Sequence, residues 1–316
     1  MKQGSQSAEW DKILERVLEV NLSAPFENLE QETSAYTNLI GPIVHSAIIE
    51  ITGKDRISFL HALVTGNIEN LQEAGAMLTA WCSPKGRVIA LLRVLLANDR
   101  LLLLVPNDQK TNLLQKLRLY ILRAEVELRD VSLEQSPFKI ISEDAPQADP
   151  SLSIFSEGNE HWVCGPVDSV RKNFQETKYR IVDPQNILLY DLERKIPKIS
   201  SILSETFLPQ ELGLETLNGL SFDKGCYPGQ EIIARVRYRG KVKKTPTLVD
   251  YDSPLVPPEG TPINVKATGK TVGTVLYGIP GNPENGKTKL LTVMNNSFLD
   301  EKPELQIGLS VAKVTN

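Results

Sequence analysis

Apolar residues recur along this chain at two periods, and the change of period divides it. Trp10, Ile13, Leu14, Val17 and Leu18 follow the i, i+3, i+4, i+7, i+8 spacing of one helical face. With Ser7 as a cap, the segment from Ser7 to Val20 is predicted to be an amphipathic helix. Residues 43–52 (IVHSAIIEIT) suit a strand and Gly53-Lys54 a turn. Asp55 then caps a helix that buries Ile57, Leu60, Ala62 and Leu63. Met77–Trp81 and Val88–Leu96 are predicted strands, joined by the turn Ser83-Pro84-Lys85-Gly86. Leu101–Val105 adds a strand, Asn107–Leu122 a helix, and Val126–Leu128 a return to the sheet. The order is β-α-β-β-β-α-β, an α+β unit with helices covering one side of an antiparallel sheet.

Residues 143–151 (EDAPQADPS) break that pattern. Beyond them, strands near Phe138–Ile141, Ser153–Phe155 and His161–Cys164, with a helix over Asp168–Thr177, outline a smaller α+β unit. From about Thr245 short β-rich runs (TLVDYD, TPINVKA, TVGTVLYG, LLTVMNN, ELQIGLSVAKV) alternate with Pro/Gly turns, the pattern of a small sandwich or barrel. Inside it, Gly281 to Thr288 spells GxxxxGK[ST]. A phosphate-cradling loop needs a helix after it, and KLLTVMNN shows no helical face, so the match is assigned to a hairpin loop.

Composition narrows the function class. The 316 residues are 41% apolar and 23% charged, as in an ordinary globular protein. No apolar run reaches the roughly 18 residues of a membrane span, and the opening MKQGSQSAEWDK lacks the order of a signal peptide. Three widely spaced cysteines without a CxxC argue against a disulfide framework and for a reducing compartment, the cytoplasm. His45, His61 and His161 form no cluster, so no metal site is expected from this chain alone. The net charge of −4 hides an asymmetry: Arg235, Arg237, Arg239, Lys241, Lys243 and Lys244 place +6 within ten residues that contain no acid. An acidic body with one basic strip suits a single anionic partner held at one place rather than general nucleic-acid binding.

The strip follows the stretch Lys224-Gly225-Cys226-Tyr227-Pro228-Gly229-Gln230-Glu231. From Arg235 to Lys243 the cations fall at every second position, which on an extended strand would line one face. Either this is a solvated edge strand, or an anion offsets the repulsion, with Arg235, Arg237 and Arg239 as its forks. Cys226 stays equally open. Lys224 would favour its thiolate, but a small cysteine also simply fits a Gly-Cys-Tyr-Pro-Gly turn. Glu231 could orient a ligand amide or cap the segment from Ile232 onward.

These eight residues resemble the K-G-C-[FY]-x-G-Q-E signature of the YgfZ-type folate-binding proteins, factors acting in iron–sulfur assembly and related in fold to the glycine-cleavage T-protein. Phe207-Leu208-Pro209-Gln210-Glu211, Gly219-Leu220-Ser221-Phe222, Ile232-Ile233-Ala234-Arg235 and Arg239-Gly240 extend the match. So do Ile51–Asp55 with Phe59-Leu60, Cys82–Arg87, and Gly273-Thr274-Val275-Leu276, so that it covers about residues 43–312. The resemblance implies a T-protein-like α+β fold: two interlocked α+β domains around a central folate cavity, plus a C-terminal β-barrel. Residues 1–135 with 190–240 would form a discontinuous first domain, 136–189 the second, and 241–316 the barrel. It further implies a functional thiol at Cys226, a motif of Lys224, Gly225, Tyr227, Gly229, Gln230 and Glu231, and tetrahydrofolate or another folate as ligand. Asn67, Lys85, Arg87, Arg235, Arg237 and Arg239 are its anion- or folate-binding candidates. The implied partners are iron–sulfur proteins or their assembly factors, with support of tRNA-modifying iron–sulfur enzymes; direct tRNA contact ranks below. Two departures stand out. Lys85-Gly86-Arg87-Val88-Ile89-Ala90 carries no acid where T-proteins have an acidic pair, which counts against the alternative of aminomethyl transfer. Asn67 stands where the family often has Asp, which removes a charge but keeps hydrogen bonding.

Overall fold

The computed structural model describes residues 8–15, 36–97, 99–147, 149–281, 287–299 and 303–315. Helix α1 spans residues 8–15 and buries Trp10 and Ile13 against Phe138, Phe174 and Val170. The rest of the expected first helix, with Val17 and Leu18, lies outside the described residues.

From β1 (Leu39–Pro42) the chain runs through β2 (Ser46–Thr52) into the short α2 (Arg56–His61). Then come β3 (Ala76–Cys82), β4 (Val88–Leu96), β5 (Arg100–Pro106), α3 (Lys110–Leu119) and β6 (Glu127–Asp130). Strands β3-β4-β5-β2-β6, in that order, form an antiparallel sheet. Asp55 does not cap α2 through its side chain. Its carboxylate instead accepts from the Glu125 backbone N–H at 2.8 Å.

The second sheet, β10-β1-β7-β9-β8, uses β7 (Ser136–Ile141), β8 (Ser153–Glu157), β9 (Glu160–Gly165) and β10 (Arg180–Ile181), with α4 (Val167–Phe174) after β9. Its unexpected member is β1, which pairs with β7 and β10 rather than with the sheet that follows it in sequence. The chain thus starts in one sheet, builds the other and returns, which interlocks the two units.

The first sheet is covered on both faces, which explains the near-continuous apolar run VIALLRVLL in β4. On one face Trp81, Ala90, Leu92 and Val94 pack against α2 and α3. On the other, Leu78, Ala80, Cys82, Val88 and Leu91 meet α5 (Pro184–Glu193) and the irregular segment carrying Ile199, Leu203, Phe207 and Leu214. Ile48, Leu95, Leu102 and Leu104 of the same sheet pack on Phe155, Trp162 and Cys164 of the second.

After α6 (Gln230–Arg239), strands β11 (Lys244–Tyr251), β12 (Pro262–Val265), β13 (Thr271–Ile279), β14 (Thr288–Asn295), β15 (Leu305–Ile307) and β16 (Ser310–Val314) close a six-stranded barrel, with the short α7 (Asn296–Leu299) after β14. Thr288, where a phosphate loop would open a helix, opens β14 instead, antiparallel to β13. Residues 282–286 of that connection lie outside the described residues.

Candidate functional site

Two stretches distant in the chain meet backbone to backbone. The β3–β4 turn closes with Gly86 N–H on Ser83 O and Ser83 N–H on Arg87 O, each at 2.8 Å, and Gly86 has φ +71°. Against it sits Gly229, also left-handed at φ +81°. A Cβ there would lie 2.5 Å from Ser83 O and 2.6 Å from Gly86 Cα. Only glycine permits both the conformation and the approach. Tyr227 drops into the core beside Cys82, and burial first, then Cys82, pushes its phenol well up. Gly225 is under no such demand, since an added Cβ would meet nothing within 4 Å.

Lys224 is a clamp. Its ammonium donates to the carbonyls of His61, Val64 and Gly66 at 2.5, 2.7 and 2.9 Å, and burial brings its pKa down to about 8. All three N–H donors are thereby engaged at the C-terminal end of α2 and the loop after it, where a cation also suits the helix dipole. The same loop is tied on the other side, where Thr65 Oγ donates to Gly219 O at 2.7 Å and Ser221 N–H to Thr65 O at 2.9 Å. Next to it, Asn67 Oδ1 is buried without a hydrogen-bond partner.

Of the three cysteines, Cys82 and Cys164 are buried and Cys226 is exposed. Burial raises the Cys82 thiol well above its ordinary range and Cys164 to about 12, so neither is a nucleophile at neutral pH. Cys226 lies just before α6, with Gln230 Nε2 3.6 Å from its sulfur, while Gln230 Oε1 accepts from Tyr227 N–H at 3.2 Å. Gln230 thus holds the turn that presents the thiol. Glu231 is exposed in the first turn of α6, where a carboxylate complements the helix N-terminus.

The extended basic strand does not form. Residues 230–239 are helical, so Arg235, Arg237 and Arg239 do not share one face. Alternation every second residue is a strand signal only where burial enforces it. Here Ile233 alone is buried, and Gln230, Glu231, Ala234 and the three arginines favour helix although Ile232, Val236 and Tyr238 do not. Arg237, itself exposed, pairs with Glu215 and lies over the Phe222 ring. Arg235 and Arg239 are exposed, one turn apart. Arg87 is held by Thr206 O at 2.9 Å and Glu211 at 3.3 Å, while Lys85 is exposed at the turn.

None of these residues lines the central cavity. It measures about 550 Å³ where the two sheets, α5 and the barrel converge. Leu78, Leu91 and Leu104 supply apolar wall, and Trp162 stacks under the Arg93 guanidinium at 4.4 Å. Lys139, only 2% exposed, bridges Glu160 and Asp191, the latter at 2.7 Å; Lys198 meets the other Asp191 oxygen at 3.3 Å. Burial pushes the Asp191 carboxyl up, but Lys139 and Lys198 outweigh it and bring it to about 2. The His45 pKa is lowered by burial and then by Lys198, which favours the neutral imidazole, and burial raises that of Glu259. Sequence reasoning missed these groups, although a signal existed. Arg93 in VIALLRVLL, Lys139 in SPFKII and Asp191 in ILLYDL are single charges inside apolar runs, and buried charges need partners. Among the described residues, no group of three or more His, Cys, Asp or Glu could hold a metal ion.

The fold is that of the T-protein class. Glycine cleavage system aminomethyltransferase T from Bartonella henselae matches with a TM-score of 0.68 over 89% of this chain and 86% of that one, at 12% identity. At the level of sequence, the tRNA-modifying protein YgfZ of Yersinia pseudotuberculosis serotype O:1b is 28% identical over 279 residues, covering 80% of this chain and 83% of the relative. The protein of the same name from Hamiltonella defensa is 27% identical over 281 residues, covering 79% and 81%. The resemblance to YgfZ-type proteins is borne out by these homologues. No family model matches the chain.

Proposed function

We propose that this protein is a folate-binding accessory factor for the assembly or repair of iron–sulfur proteins, supporting iron–sulfur enzymes that modify tRNA. One observation carries the folate part: a 550 Å³ cavity, walled by leucines and the Trp162 ring and edged by fixed charges, at the junction of both sheets and the barrel. Its size and its mixture of apolar wall with a few convergent polar groups are those of a small-molecule site. The residues fit a flat heteroaromatic ring with polar edges. Trp162 and the leucines would take the ring faces. Asp191, held ionised, would accept ring N–H groups, and the Lys198 side would meet carboxylate. A bound tetrahydrofolate supplies one-carbon chemistry; this chain's residues bind, orient and exclude water around it.

The relatives' name, tRNA-modifying protein, and the motif around Cys226 support the second part. Cys226 is the accessible thiol among the three, on a turn whose geometry Lys224, Gly229 and Gln230 maintain. Aminomethyl transfer would lack its charged partner, since the turn from Ser83 to Arg87 bears no carboxylate and its backbone packs against Gly229. The test of the second part is complementation, with Cys226→Ala beside Cys226→Ser, scored on the activity of an iron–sulfur enzyme. Loss with both variants is expected; full activity of Cys226→Ala would remove the thiol from the mechanism.

A further inference from the structure

Helix α6 places a basic and aromatic face in solvent that the cavity does not use. Arg235, Tyr238 and Arg239 fall within about 100° of one another around the axis, at i, i+3 and i+4. Tyr238 is 70% exposed, steadied by an edge contact of its ring with Phe222 at 6.0 Å. Lys241 and Lys243 follow in the exposed segment beyond the helix. From Ile232 to Val249 the chain contains no acid, and among the described residues Arg235, Arg239, Lys241 and Lys243 have no ion-pair partner. Arg237, on the opposite side, is the one that found a carboxylate.

Four unpaired cations flanking an exposed ring form a surface complementary to a polyanion that also carries flat faces. We propose that this face of α6 and residues 241–243 dock RNA, with phosphates on the arginines and lysines and an unpaired base against Tyr238. An acidic protein surface would meet the cations but leave the tyrosine without a role. The acidic remainder of the chain repels phosphate elsewhere, so the RNA would be held at one place. The thiol lies on the same stretch of chain, because Cys226 is four residues before Gln230, the first residue of α6, whose side chain reaches back to its sulfur. The inference stands apart from the folate reading, and its test contains no folate.

The full-length chain is titrated against a labelled, unmodified tRNA transcript and against labelled polyglutamate by fluorescence anisotropy, from low to moderate potassium chloride. Four phosphate contacts imply a slope of log affinity against log salt of about −3. Arg235→Ala with Arg239→Ala should weaken RNA binding at least about tenfold and flatten the slope by about 2. Tyr238→Ala should weaken it by on the order of tenfold with the slope unchanged. All these side chains are exposed, so unaltered thermal unfolding is the control. No RNA binding at low salt overturns the proposal. So does polyglutamate binding as tightly as RNA with Tyr238→Ala inert, which would make the partner an acidic protein.

Discussion

Single side chains in this protein separate structural from chemical roles within one motif. Lys224 and Cys226 are two residues apart, yet the lysine has all its donors on three carbonyls while the thiol is exposed. Lys224→Met should therefore destabilise the fold by about 1–3 kcal/mol in urea titration, as three carbonyls lose a charged donor. Lys224→Arg should not rescue it, because a planar fork cannot converge on them as an ammonium does. Alkylation of the native protein should label Cys226 alone, with Cys82 and Cys164 appearing only on unfolding; peptide mass spectrometry reads this directly. Asp191 gives a pH dependence. Its folded pKa of about 2 lies below the unfolded value of about 3.9, so its contribution of about 2–3 kcal/mol is full above about pH 5 and is lost as pH falls through about 2. Denaturation midpoints of the wild type should fall more steeply over that range than those of Asp191→Asn.

At the scale of elements, the β3–β4 hairpin and the start of α6 act as one unit through Gly86 and Gly229. Gly229→Ala adds a left-handed non-glycine and a Cβ in contact with Ser83 O, at a cost of about 1–3 kcal/mol that chemical denaturation would measure. The hairpin was legible because the Ser-Pro-Lys-Gly turn stands between two long apolar runs, and Val88–Leu96 is a strand over those residues. Helix α6 was not. Its basic residues alternate at the period of a strand, and the burial of Ile233 and the pairing of Arg237 with Glu215 are contacts of the folded helix. Those partners come from another part of the chain, which local periodicity does not see.

Across the whole molecule, the three-part α+β and barrel architecture could be read from hydrophobic periods and the resemblance together. The swap of β1 into the second sheet could not, since Leu39–Pro42 is as apolar as any neighbour and its pairing is decided by tertiary register. The lining of the central cavity escaped for a related reason: it is assembled from strands of both sheets, α5, the loop after it and the barrel, which lie far apart in the chain. The motif pointed to Cys226 and its turn, whereas the small-molecule site is built from residues outside the motif. Isothermal calorimetry of tetrahydrofolate against the wild type, Trp162→Ala, Ser46→Trp and Cys226→Ala separates the two most directly. Saturable binding of one equivalent is expected, weakened at least about tenfold by removing the Trp162 ring or by filling the cavity from Ser46, and unchanged by Cys226→Ala. Absence of binding to the folded wild type, or binding indifferent to both cavity variants, would contradict a folate site between the sheets and the barrel.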